Sequence, residues 1–257
     1  MEKIQLLDRE LYDKADLIKK MEDDEFYYGE MSKKALSSSS IKLLLSSPKT
    51  YDCVSRYGNA ESQALRDGWL MHTAILEPEV FEAQTFIDVQ SKNTKKFKLA
   101  KEEFGKVFTT KEKHDAERVA DAVLRNEKAL QLLNDSEFEV PIAGEVMGYP
   151  FRAKADILGN GRICDLKSTS DIKAFPYSAK KYGYDVQVFL YCELFGIPYD
   201  KFEFLVIDKG SLDIGVWGVS EEFYEAGREK TKEGIDRYHN FFELGMDLDN
   251  YYIEGTL

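Results

Sequence analysis

The sequence predicts an α/β chain in which a mixed central β-sheet is flanked by helices, with an N-terminal helical extension. Three observations carry that expectation. Residues 137–169 hold three strand-like stretches joined by tight turns, two more strand-like stretches lie within 201–220, and helical patterns precede, separate and follow them. The 257 residues suffice for one large domain with a proper core. A hydrophobic content of 43% with 13% aromatics is that of a folded chain.

The elements follow in order. Residues 1–35 are acidic and aromatic, and "MEDDEFYYGEMS" reads as a loosely packed lead-in to a single domain spanning 36–257. "LSSSSIKLLLSSPKTYDCVSRYG" opens on helix-capping serines and predicts two short helices parted near Ser47 and Pro48. "ESQALRDGWLMHTAILEPEVFEA" carries apolar residues at helical spacing, stopped by Pro78. Gly68 within it suggests close packing against a neighbour. "FEAQTFIDV" fits a strand, and "KEKHDAERVADAVLRNEKALQLLN" one amphipathic helix. Glu137 to Val146, Tyr149 to Leu158 and "RICDLKST" predict three consecutive strands, turning at Met147–Gly148 and at Gly159–Gly161. "KKYGYDVQVFLYCELFGIP" reads as a helix ended by Gly196 and Pro198, then two strands and a long last helix.

Composition narrows the function classes. No run of about 18 apolar residues is present, so no membrane-spanning helix is expected, and the N-terminus lacks a signal-peptide core. Cys53, Cys164 and Cys192 are far apart and odd in number, which predicts buried reduced thiols in a cytoplasmic protein and no zinc site. A net charge of -12 argues against coating nucleic acid through bulk charge. It leaves open enzymes that gather carboxylates to hold metal ions beside a local basic groove. Lys92, Lys95, Lys96, Lys98, Lys101, Lys106, Lys111 and Lys113 form either such a DNA-contacting segment or a solvated face.

The stretch "ADILGNGRICDLKST" raises the sharpest question. Strand alternation places Arg152, Lys154 and Asp156 on one face, and Ile163, Asp165 and Lys167 on one face of the next strand. A tight turn brings Asp156 toward Asp165, and two close carboxylates call for a proton or a cation between them. A divalent metal suits hard oxygen ligands. An ordinary Asp165–Lys167 salt bridge with Asp156 as a turn residue is the competing reading. Gln187 in an apolar helix needs hydrogen-bond partners.

The chain resembles the PD-(D/E)XK nuclease superfamily, and within it the RecE-type (exodeoxyribonuclease VIII-like) and phage RecB-like exonucleases. The likeness rests on Gly68 and His72 followed by "ILEPEVF", on "RAKAD" ending at Asp156, on "DLKST" from Asp165, and on "QVFLY" with Gln187 and Tyr191. The serine-rich "LSSSSIKLLLSSPKTY" fits as well, and the span is roughly 36 to 210. The resemblance implies a restriction-endonuclease-like core. It implies metal ligation by His72, Asp156, Asp165 and the main-chain carbonyl of Leu166. Lys167 would position the attacking water, and Gln187 and Tyr191 would border the site and touch the DNA backbone or the catalytic groups. Ala155 stands where the superfamily's proline would be, and Glu139 is preferred over Glu145 as a further acidic residue.

The implied activity is Mg2+-dependent exonuclease action on linear duplex DNA, with Mn2+ as a substitute, 5′ to 3′, leaving 3′ single strands. A single-strand annealing or recombination protein, a homo-oligomeric ring, no membrane, and a bacterial or phage-infected cell complete the expectation. The alternatives are a structure-specific endonuclease or single-strand exonuclease of the same fold, or a non-catalytic DNA-binding or assembly module.

Overall fold

The computed structural model describes residues 2–60 and 62–256. The N-terminal stretch is not loose. Strands β1 (Lys3–Gln5) and β2 (Leu11–Asp13) pair antiparallel, and α1 (Lys14–Lys20) follows, capped by Asp13. A π-helical turn, Phe26–Glu30, leads into the short α2 (Met31–Lys34). Leu6, Leu17, Met21, Tyr27 and Met31 form an apolar cluster that closes on Ala143 of the central sheet. The acidic residues line its outside while these apolar ones bury, which a count of charge along the segment does not reveal.

Helices α3 (Ser38–Ser46) and α4 (Pro48–Tyr57) share Ser47, which ends one and caps the other; Pro48 needs no donor at the first helical position. α5 (Gln63–Leu76) ends before Pro78, where α6 (Pro78–Glu82) begins. Gly68 is not closely packed: a Cβ there would meet nothing within 4 Å. Strand β3 (Thr85–Ile87) pairs parallel with β4 (Val107–Thr109), and α7 (Lys95–Phe104) lies between them. The single helix expected after Thr109 is two, α8 (Thr110–Leu124) and α9 (Glu127–Leu133), because Asn126 caps a new start.

The central sheet has the order β5 (Ser136–Val146), β6 (Tyr149–Gly159), β7 (Arg162–Thr169), β8 (Phe202–Asp208), β9 (Ile214–Gly218). All neighbours are antiparallel except β7 and β8, whose parallel pairing is bridged by α10 (Phe175–Lys181) and α11 (Tyr184–Phe195). The last long helix is α12 (Glu221–Tyr238). Ile163, Phe202, Phe204 and Val206 face α3, α10, α11 and α12, whereas Cys164, Leu166, Leu205 and Ile207 face α5, α8 and α9. Helices therefore cover both faces, as expected for an α/β sheet. No helix among the described residues is long and apolar enough to cross a membrane. Cys164 and Cys192 are buried thiols, but Cys53 is exposed on α4.

Glu112 joins the first half of the chain together. It completes a capping box with Thr109 and accepts from Gln63 (2.9 Å), Arg66 (3.1 Å) and Lys92 (2.6 Å). Burial opposes its ionisation, but these hydrogen bonds outweigh that and hold the carboxyl at about 2. Its contribution to stability is therefore present at neutral pH and lost as pH falls through that value. Glu112→Ala is expected to cost about 3 kcal/mol by denaturant titration, since it breaks a buried ion pair from one side.

Candidate active site

Strands β6 and β7 part where the two aspartates lie. Their ladder runs from Gly159↔Arg162 to Ile157↔Cys164 and stops there. The next rung would set Asp156 against Asp165; instead the Asp156 carboxylate accepts the main-chain N–H of Leu166 at 2.8 Å. The N–H and C=O of a strand residue point the same way, so the Leu166 carbonyl faces this opening too.

The pleat also steps here. Ala155 packs on one face of the sheet and Ile157, two residues on, packs on the other. The strict alternation expected for β6 thus breaks between Ala155 and Ile157. Across on β5, Glu139 stands opposite Asp156, between the rungs Phe138↔Ile157 and Val140↔Ala155. Its φ of 51° lies in the left-handed region, which costs a non-glycine residue on the order of 1 kcal/mol. Both strands twist out of regular geometry at one level, and both turn a carboxylate out there.

His72 reaches the same level from α5, its Nδ1 3.5 Å from Asp156 Oδ2. One ligand atom each from His72, Glu139 and Asp156 lie within 4.8 Å of one another. Burial, and then the Asp156 carboxylate, push Glu139 up to about 8. Burial and Asp24 likewise raise Glu77 at the end of α5. An imidazole and two carboxylates at this spacing, where burial disfavours the Glu139 charge, fit a divalent cation. Mg2+ or Mn2+ matches the oxygen-rich donor set.

Asp165 lies beside this trio, fully buried, and is held from the other side. Its Oδ1 accepts from Gln187 Nε2 at 2.5 Å, and its Oδ2 is ion-paired with the Lys167 ammonium. Burial and the Asp156 charge push Asp165 up to about 6. Burial alone would lower Lys167, but the Asp165 and Asp156 carboxylates outweigh it and raise it above the usual lysine range. At neutral pH Lys167 is therefore an ammonium, a donor and positive charge, and not a base. It lies over the Tyr184 ring, 5.1 Å from the centroid.

The other expected residues divide. Glu139 joins the site, whereas Glu145 is exposed at the β5–β6 turn. Gln187 supports Asp165, but Tyr191 is buried and donates to the Lys154 carbonyl at 2.9 Å, bracing β6 instead of facing an open site. In the lysine-rich segment, Lys92 is tied to Glu112 and Gln63, and Lys96 to the Asp88 carbonyl. Lys95, Lys98 and Lys101 remain exposed on α7, whose Phe97 and Ala100 are buried.

Sequence reasoning missed four contributors. Asp24 binds Lys154 at 2.5 Å, and Glu77, Tyr184 and Lys42 all surround the site. Glu77 lies in the quoted "ILEPEVF" and Lys42 in the serine-rich helix; Asp24 and Tyr184 gave no signal above their acidic and aromatic neighbours.

Cation binding has a pH signature. Raised in the folded chain, the Glu139 carboxyl favours the fold at low pH and loses that contribution as pH climbs through about 8. A cation needs the carboxylate, so added Mg2+ or Mn2+ is expected to raise the melting temperature by roughly 2–4 °C for each 1 kcal/mol of binding. The gain should grow from mildly acidic pH toward pH 8 and vanish in Glu139→Gln, as read by thermal denaturation.

The fold has a counterpart. Among solved structures, a putative exonuclease from Eubacterium rectale aligns at a TM-score of 0.64 and 18% identity, covering 91% of this chain and 95% of that one. A phage-related exonuclease from Haemophilus somnus 129PT aligns at a TM-score of 0.37 and 14% identity, over 82% and 96% of the two chains. No curated protein matches the chain. Residues 37–245 match the PDDEXK-like domain of unknown function, DUF3799. With the sheet split between two aspartates, a D-x-K strand end and an adjoining histidine on a helix, the chain belongs to this PDDEXK-like family.

Proposed function

We propose that the chain is a metal-dependent DNA exonuclease acting on linear duplex ends, 5′ to 3′, to leave 3′ single strands for recombination. The observation that carries this reading is the convergence of His72, Glu139 and Asp156 within 4.8 Å, beside the Asp165–Lys167 pair. It is supported by the family and by the description of the Eubacterium rectale neighbour as a putative exonuclease.

A Mg2+ or Mn2+ ion held by His72, Glu139 and Asp156, with Asp165 and the Leu166 carbonyl adjoining, would supply Lewis acidity toward the phosphate and a more acidic water. The chain's own groups do the rest. Gln187 fixes one oxygen of Asp165 so that the other is presented beside Lys167. The Lys167 ammonium donates to the incoming water or to a phosphate oxygen and offsets the negative charge that builds there. The water oxygen forms the new bond to phosphorus and gives up one proton to solvent, the bond to the 3′ oxygen breaks, and that oxygen takes a proton back from solvent, so the proton count is unchanged. A 5′ phosphate and a 3′ hydroxyl result.

Lys95, Lys98 and Lys101 form a positive stripe suited to the duplex backbone on a chain of net charge -12. A homo-oligomeric ring turning that stripe inward, and an annealing or recombination protein that receives the 3′ strand in a bacterial or phage-infected cell, complete the proposal on the strength of the resemblance.

The test is digestion with Mg2+ of a linear duplex and of the same DNA as a covalently closed circle, with the label on either end of one strand. Loss of the linear form alone, with 5′ label released first, is the expected result. Cutting of the closed circle would replace this reading with an endonuclease, and release of 3′ label first would reverse the polarity.

A further inference from the structure

We infer that Lys42 is a phosphate-binding residue of this site, contacting the DNA backbone on the Lys167 side of the scissile bond. The inference rests on the nuclease reading above and adds a residue that neither the family's motifs nor the sequence pattern singled out.

Lys42 projects from α3, across the junction of α10 and α11. Gly183 stands at that junction with φ of 65°, and a Cβ there would lie 3.1 Å from Lys42 Cδ and 3.2 Å from its Cγ. The glycine thus gives the lysine stem a track, and the stem leads to Tyr184. The Lys42 ammonium lies over the Tyr184 ring at 5.8 Å from the centroid, and the Lys167 ammonium over the same ring at 5.1 Å. Two ammonium groups therefore share one aromatic platform beside Asp165.

Only one of the two is neutralised. Lys167 is ion-paired with Asp165, whose other oxygen is taken by Gln187. Asp185, in the first turn of α11, binds Lys230 at 2.5 Å and accepts from the Val186 N–H. Among the described residues Lys42 makes no hydrogen bond and no ion pair, although it is half-buried. Acidic residues outnumber basic ones 47 to 35 in this chain, so a surplus cation held next to a second cation is not a consequence of composition. Two positive groups converging on one side of a carboxylate cluster are what an anion with spread charge would satisfy. A phosphodiester has that charge distribution, and its approach would relieve the repulsion between the two ammonium groups while the carboxylates stay turned to the cation side.

The test is fluorescence anisotropy of a short blunt duplex with Ca2+ present, at KCl concentrations between about 50 and 200 mM. The proteins compared are wild type, Lys42→Met and Lys42→Arg, each checked for its melting temperature. Lys42→Met is expected to bind about tenfold more weakly and to lower the slope of log affinity against log salt by about 0.9, the value of one phosphate contact. Lys42→Arg should keep the wild-type slope, and in digestion the methionine variant should show a raised KM. A methionine variant that melts like wild type and keeps its slope would overturn the assignment, as would equal losses in the arginine and methionine variants. Wild type that cleaves DNA while Lys42→Met keeps the slope defeats this inference alone; wild type that cleaves no DNA with Mg2+ or Mn2+ defeats the nuclease reading beneath it.

Discussion

Lys167→Met is expected to slow phosphodiester hydrolysis by about three orders of magnitude and, by breaking a buried ion pair from one side, to cost about 3 kcal/mol of stability. Methionine nearly matches the stem length and keeps its packing, so the change removes one charge and three donors. The Lys167 ammonium is raised by Asp165 and Asp156 and is therefore charged throughout the neutral range. Its loss costs the group placed to offset charge on the phosphate, and it leaves the buried Asp165 with Gln187 as its hydrogen-bond donor. Metal-induced stabilisation should survive, because His72, Glu139 and Asp156 are untouched. Single-turnover digestion paired with thermal denaturation checks both halves. A variant retaining more than about a tenth of wild-type rate would assign the chemistry elsewhere.

Asp156→Asn carries the second large effect. The carboxylate does three things at once: it accepts the Leu166 N–H, faces His72, and stands opposite Glu139. Asparagine keeps an oxygen for the Leu166 N–H but removes the charge, so hydrolysis should fall by about a thousandfold or more. The cation-free protein should become more stable near pH 8, since the repulsion that raises Glu139 and Asp165 is gone. Activity and stability thus move in opposite directions. Asp156→Ala separates the roles, because it also orphans the Leu166 N–H at a cost of about 1–3 kcal/mol. If Asp156→Asn were no more stable than wild type without metal, the carboxylate crowding assigned to this site would be wrong.

The sheet and most of the site were legible from pattern. Turn residues at Met147–Gly148 and Gly159–Gly161, with apolar runs between them, are local signals, and the β5–β6–β7 meander follows from them. Asp156, Asp165, Lys167 and Gln187 sit at spacings a strand and a helix convert directly into proximity. What was not legible depends on long-range contact. Strict alternation fails at Ile157, because the pleat steps where β6 and β7 part. Asp24 approaches because residues 2–35 fold onto β5, which their acidity disguised. The resemblance places Tyr191 with Gln187 at the border of the site, whereas its hydroxyl finds the Lys154 carbonyl in the interior. Lys92 reads as one of a run of lysines, and only the fold delivers it to Glu112.

The central claim is that a cation held at His72, Glu139 and Asp156 makes this chain a nuclease. Release of acid-soluble nucleotides from linear duplex DNA, first in EDTA and then after Mg2+ or Mn2+ is added in excess, tests it most directly. No release in EDTA and steady release once either ion is present are the expected results. No release with both ions, or release unchanged by EDTA, would contradict it.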